Sequence, residues 1–177
     1  IMNNGGIARR LINFAKVLVG RIPGALAQTN VLGNMLFGAL SGSAVAAAAA
    51  IGGTMAPMEK EEGYDPSFTT CVNIASAPTG LLIPPTTAFI VYSMVAGGVS
   101  VSALFMAGYI PGILMGLATM VIAYFYAKKH NYPVSPSVPF SEGLKVFIDP
   151  VPSLMLIVVV IGGIVKGVFT ATEGAGV

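Results

Sequence analysis

Residues 36–53, LFGALSGSAVAAAAAIGG, are apolar enough for a lipid bilayer, yet Ser41, Gly42 and Ser43 stand in the middle of the run. Further on, SAPTGLLIPPT (residues 76–86) is interrupted by Pro78 and again by Pro84 and Pro85. Non-helical backbone at membrane depth is tolerated only where protein or a water-filled cavity satisfies its polar groups. Two such breaks restrict the chain to folds in which each is covered. Composition puts these segments in a bilayer: 55% of the 177 residues are hydrophobic and 9% are charged, where a soluble domain carries about 25% charged residues. The expected class is an all-α polytopic membrane protein. A net charge of +2 gives no reason to expect nucleic acid as a partner. The single cysteine, Cys71, excludes an internal disulfide and a cysteine-based metal site; it is expected as a small apolar filler in a helix. Ile1 is not a natural start, and Gly176-Val177 ends without a stop or cap, so the chain is expected to be part of a longer polypeptide.

Gly5 to Ile22 is amphipathic. Ile7, Leu11, Phe14, Ala15, Leu18 and Ile22 fall on one face at helical spacing, and Arg9, Arg10, Asn13, Lys16 and Arg21 fall largely on the other. A basic amphipathic helix of this kind lies in the membrane interface, here on the cytoplasmic side. The block from Val31 to Met58 is either one long spanning helix or a re-entrant hairpin with its tip at Ser41-Gly42-Ser43. Hairpin arms of about 14 residues reach roughly 21 Å, past the midplane of a ~30 Å core without crossing it.

Charge position favours the hairpin. Arg9, Arg10, Lys16 and Arg21 precede the block, and Lys128, Lys129 and Lys145 follow the long apolar run from Val101 to Ala127, which has Pro111 near its start. Basic flanks belong inside the cell. The uncharged connection at 97–102 suits the outer face. If the broken segment 66–97 crosses outward and 101–127 crosses back, the charged turn from Glu59 to Pro66 is inside, and the 31–58 block begins and ends on one side. Beyond these lie a proline-rich loop (Ser135 to Pro139), a short amphipathic helix (Phe140 to Ile148) and a further span-length run (Pro150 to Val168). Lys166 near its outer end is expected to snorkel or to pair with Glu173.

Breaks at Pro78-Thr79-Gly80 and Pro84-Pro85 free backbone carbonyls, because proline lacks an N–H and clashes with the carbonyl four residues back. Such oxygens, with serine hydroxyls at a hairpin tip, suit a hard cation such as Na⁺. Discontinuous helices build midplane sites of this kind in secondary transporters. Ser43 is a good N-cap for the polyalanine arm. The positive end of that helix would face the site and favour an anionic group such as a carboxylate. The plainer alternatives are close helix packing through small residues and a simple proline kink. An intramembrane serine hydrolase lacks a base: the only histidine, His130, stands in a polar loop beyond the end of a span.

The runs LSGSAVAAAAAIGGTMAPMEKEEGYDP, SAPTGLLIPPTTAFIVYSMVAGGVS, LFMAGYIPGILMG and GGIVKGVFTATEGA occur in this order along nearly the whole chain. Together they resemble the large membrane subunit of TRAP (tripartite ATP-independent periplasmic) transporters, with a flavour closest to sialic acid members. That resemblance implies an elevator-type transporter built from two inverted repeats, of which this chain is the first. It implies an interfacial arm helix at 1–28 and a transport-domain hairpin and broken helix at 29–99. A spanning helix, cytoplasmic loop and second amphipathic helix would occupy 100–149, and a scaffold-side segment would begin at 150–177. By motif it places a Na⁺ site on Ser41, Ser43, Gly80, Ile83 and Pro84, the last three mainly through carbonyls, and substrate contacts on Ser43, Ala44 and Thr79. Where many members carry an aspartate near Ala47, this chain has only alanines. The implied function is Na⁺-coupled symport of an organic acid across the bacterial inner membrane, not enzymatic. A periplasmic substrate-binding protein and a small TRAP membrane subunit, separate or fused, would be its partners. Two other readings are a standalone Na⁺/dicarboxylate symporter and a non-transporting membrane scaffold subunit.

Overall fold

The computed structural model describes residues 7–134 and, beyond them, Met155, Val159, residues 162–164, Lys166 and Val168. The expected helix at 140–148 and Glu173 lie outside the described residues, as does most of the run at 150–168. Lys166 is exposed in a turn, its N–H donating to the carbonyl of Gly162 at 3.1 Å. Among the described residues the secondary structure is entirely helical: α1 (Ile7–Val19), α2 (Ala25–Ser41), α3 (Ala44–Glu61), α4 (Pro66–Ser76), α5 (Thr79–Leu82), α6 (Thr87–Val95) and α7 (Val101–Lys129).

The block from Val31 to Met58 is a hairpin and not a rod. Gly42 adopts φ 62°, a left-handed conformation that stops α2, and its N–H donates to the carbonyl of Gly38 at 2.7 Å. Ser43 is extended, and its side chain accepts from the N–H of Ala46, restarting the chain as α3. The arms are longer than the apolar run suggested. α2 begins at Ala25, behind Gly24 at φ 74°, where a β-carbon would run into the Ala127 side chain of α7. α3 continues through Glu61, so Glu59-Lys60-Glu61 is its last turn and not a loop.

α2 is the central element. Every residue from Ala25 to Val31 is buried, and α2 packs against α1, α3, α4, α5 and α7. The amphipathic α1 lies along it with Arg9, Arg10 and Asn13 exposed, as the periodicity predicts, and Arg21 is exposed just beyond its end. Its buried face is turned from the expected one. Leu11, Phe14 and Ala15 are joined by Ala8, Ile12 and Val19, while Leu18 is 51% exposed.

The second interruption is one break, not two. Ala77 and Pro78 keep right-handed helical angles, so α4 runs almost directly into α5. The chain leaves the helix only at Ile83, whose ψ of 115° is extended, and α6 departs at 49° to the line of Pro66–Leu82. The chain passes over Pro78 by rebonding at shorter range: Gly80 and Leu81 donate to the carbonyls of Ala77 and Pro78 at 3.0 and 2.9 Å. α7 is an unbroken helix of 29 residues despite Pro111. At about 43 Å it exceeds a bilayer core. Cys71 is exposed on α4, so the expected filler role does not hold: its neighbours Val72 and Phe68 take the buried positions.

Candidate functional site

The hairpin tip and the broken helix meet. A β-carbon built on Gly80 would lie 2.7 Å from the Cα of Gly38 and 3.6 Å from the carbonyl oxygen of Ser43. One built on Gly42 would lie 2.9 Å from the carbonyl oxygen of Pro85. Only glycine at all three positions lets the two backbones come this close. The junction therefore brings the tip of the hairpin, Ser41 to Ser43, against the stretch from Gly80 to Thr86.

Gly80 and Leu81 stand four residues before Pro84 and Pro85, which have no N–H to offer, so their carbonyls have no helical donor. Ile83 and Pro84 are buried in the extended stretch. On the hairpin side, the Ser41 hydroxyl is half-buried and donates to the carbonyl of Ser43 at 3.3 Å, while Ser43 Oγ accepts from Ala46 N–H at 3.3 Å. These are the long ends of the hydrogen-bond range. Both hydroxyls keep lone pairs for another ligand. Ser41, Ser43, Gly80, Ile83 and Pro84 thus occupy one junction, and Ala44 adjoins it in the first turn of α3. Thr79 behaves differently: it is fully buried, and its hydroxyl donates to the carbonyl of Ser76 at 2.6 Å.

α7 closes one side of the junction. Gly108, Gly112 and Gly116 recur at one-turn spacing and are buried. A β-carbon on Gly112 would stand 2.7 Å from Ile83 Cγ1 and 3.3 Å from its backbone nitrogen. Gly108 meets Leu82 O and the Phe89 ring, and Gly116 meets Met35 of α2.

Below the junction is a set of polar residues that the motif reading passed over. The Asn34 Nδ2 group, on a side chain with no exposure, lies 2.9 Å from Asn73 Oδ1, 2.8 Å from Ser76 Oγ and 3.1 Å from Asn30 Oδ1. Asn73 Nδ2 in turn donates to the carbonyl of Ala48 at 3.0 Å, and Asn30 Nδ2 donates to Glu59 Oε1 at 3.0 Å. Side chains of α2, α3 and α4 are thereby tied together one turn below Gly38. Burial pushes the Glu59 carboxyl up from the usual carboxylate range, opposed by hydrogen bonds from Asn30 and Thr69. The signal was in the sequence: Ala47, Ile51, Met55 and Glu59 share one stripe at four-residue spacing, and all are buried.

Beside this knot, aromatic rings tie the turn after α3 to the end of α7. Tyr64 stacks on Tyr132 at 4.3 Å between centroids, and Phe68 on Tyr126 at 4.2 Å. The Tyr64 hydroxyl, its pKa raised to about 12 chiefly by burial, donates to the carbonyl of Pro133 at 3.4 Å.

The pattern of the tripartite ATP-independent periplasmic transporter DctM component matches residues 1–177. The chain belongs to this family. An uncharacterized protein, YgiK, of Salmonella typhimurium is 58% identical over all of the chain. The sialic acid TRAP transporter large permease protein SiaM of Vibrio cholerae is 40% identical over all of it. The C4-dicarboxylate TRAP transporter large permease protein DctM of Pseudomonas aeruginosa is 42% identical over 99%. The chain spans 41% of the length of each of these three relatives.

Proposed function

We propose that the chain works as part of a Na⁺-coupled secondary transporter that takes up an organic acid through the inner membrane. In this reading Na⁺ binds at the junction, held by the hydroxyls of Ser41 and Ser43 and by carbonyls of Gly80, Ile83 and Pro84. The N-terminus of α3, at Ser43 and Ala44, faces the carboxylate of the substrate. Thr79 contributes through its backbone, since its hydroxyl is engaged. The carrying observation is the contact of Gly38 and Gly42 with Gly80 and Pro85, which sets a serine-bearing tip against carbonyls that have no helical donor.

Relatives named for sialic acid and for C4-dicarboxylates stand at 40% and 42% identity, so the shared chemistry is an organic anion. Sialic acid is the substrate to test first. A periplasmic binding protein and a small membrane subunit, separate or fused, are the proposed partners; the isethionate TRAP transporter permease protein DctMQ of Oleidesulfovibrio alaskensis is 39% identical. The proposed motion is an elevator in which hairpin and broken helix travel together as the first of two inverted repeats.

Uptake into proteoliposomes holding the complete transporter tests this. Accumulation of labelled sialic acid or succinate is expected only with an inward Na⁺ gradient and added binding protein. Uptake that ignores the binding protein supports a standalone symporter. Absence of uptake of any organic anion, with the protein folded and its partners present, supports a scaffold subunit.

A further inference from the structure

Glu59 is 2% exposed and lies at the floor of a pocket of about 230 Å³ between α3 and α4, which opens to the surface at Ala49, Gly53, Ala56 and Thr70. Thr69, Thr70 and Asn73 of α4, Asn30 of α2 and the alanine–glycine face of α3 line the pocket, and none of them is charged. The influences on the carboxyl are loss of water and hydrogen bonds from Asn30 and Thr69; no basic side chain is among them. A carboxyl buried without a counter-charge favours its neutral form over the carboxylate.

The other titratable groups near Glu59 do not change this. Tyr64, whose N–H donates to the Glu59 carbonyl at 2.9 Å, is held protonated by its own burial. Lys60 and Glu61 on α3 are exposed, as are Glu62 and Asp65 in the turn that follows. α1 adds Ala8, Leu11 and Ile12 to the adjoining core, and from the α7 end Tyr126 and Tyr132 lie in the aromatic stack. A cation ligand fits less well than a proton, because Asn30 presents its amide N–H to Glu59 Oε1 and not an oxygen.

We propose that Glu59 is a proton-binding site: its carboxylate takes one proton from water at the base of the hairpin and keeps it while α3 and α4 are packed. The neutral carboxyl then joins the amide knot without a counter-ion. Separating α3 from α4 would bring water onto the carboxyl itself and release the proton. The inference does not depend on which anion, if any, is carried.

The sign follows from burial. The folded carboxyl holds its proton more tightly than the unfolded one, so its contribution is complete below the ordinary carboxylate range and is lost as pH rises through the raised value. The test uses the purified full-length transporter with its partner subunit. Thermal stability of the wild type is expected to fall as pH rises from the carboxylate range, and Glu59→Gln, a neutral near-isostere, is expected to fold and to lose this dependence. An infrared carboxyl C=O band in the wild type should disappear at alkaline pH and be missing from Glu59→Gln. Three results would overturn the proposal: Glu59→Gln failing to fold, an unchanged pH profile in that variant, or stability through Glu59 that follows Na⁺ at fixed pH.

Discussion

The two ends of the hairpin are held by opposite means. At the tip, contact is made through backbone atoms at glycines: Gly38 against Gly80, and Gly42 against the carbonyl of Pro85. At the base, contact is made by side chains: Asn30, Asn34, Asn73, Ser76 and Glu59 in one hydrogen-bonded set, with the Tyr64–Tyr132 and Phe68–Tyr126 stacks beside it. The base is directional and specifies how α2, α3 and α4 register. The tip is a steric fit that brings the Ser43 carbonyl beside Gly80 and the Pro85 carbonyl beside Gly42. If the tip is the proposed ion site, its geometry is fixed from below while the Ser41 and Ser43 hydroxyls keep lone pairs for a ligand.

The comparison breaks most severely at Gly38. Gly38→Val puts a branched side chain into the backbone of Gly80, which cannot shift without moving the helix it belongs to. A loss of more than about 3 kcal/mol is expected. It would be read as a collapse in the fraction of transporter surviving size-exclusion chromatography after heating. Asn34→Leu attacks the base instead. It strands acceptors on Asn73 and Ser76, and a loss of about 2 kcal/mol is expected from their desolvation. The melting temperature should drop, while any Na⁺ half-saturation measured well below it stays near wild type. Ser41→Ala with Ser43→Ala is the mildest for the fold, at about 1 kcal/mol for the lost cap. If the tip binds Na⁺, this pair nonetheless raises the Na⁺ needed for half-maximal uptake. A double variant with unchanged Na⁺ dependence would remove the tip from the mechanism.

The tip was legible because its signals are local. Ser-Gly-Ser between apolar arms, and two adjacent prolines, each dictate backbone within a few residues. Pro78 was over-read for a related reason. Proline deletes one donor, but a helix can continue over it when the following residues rebond at shorter range, as Gly80 and Leu81 do. The base was not read because its meaning is tertiary. Asn30, Asn34 and Asn73 look like ordinary polar interruptions until α2 and α4 are placed side by side. Glu59 was grouped with Lys60, Glu61 and Glu62 as a solvated turn, although its position one turn beyond Met55 on the Ala47–Ile51 stripe put it inside. The face of α1 was misjudged in the same way. Which apolar residues point inward depends on where α2 lies, and Ile12 and Val19 won over Leu18.

The three glycines of α7 have one further effect. They carve a shallow trough along the helix, and Leu82 and Ile83 lie in it. A peptide carbonyl left open to hydrocarbon costs several kcal/mol. With α7 seated over the kink, the backbone of Leu82 and Ile83 is covered on that flank. The trough acts as a gasket, and a bulkier residue at Gly112 would lift it.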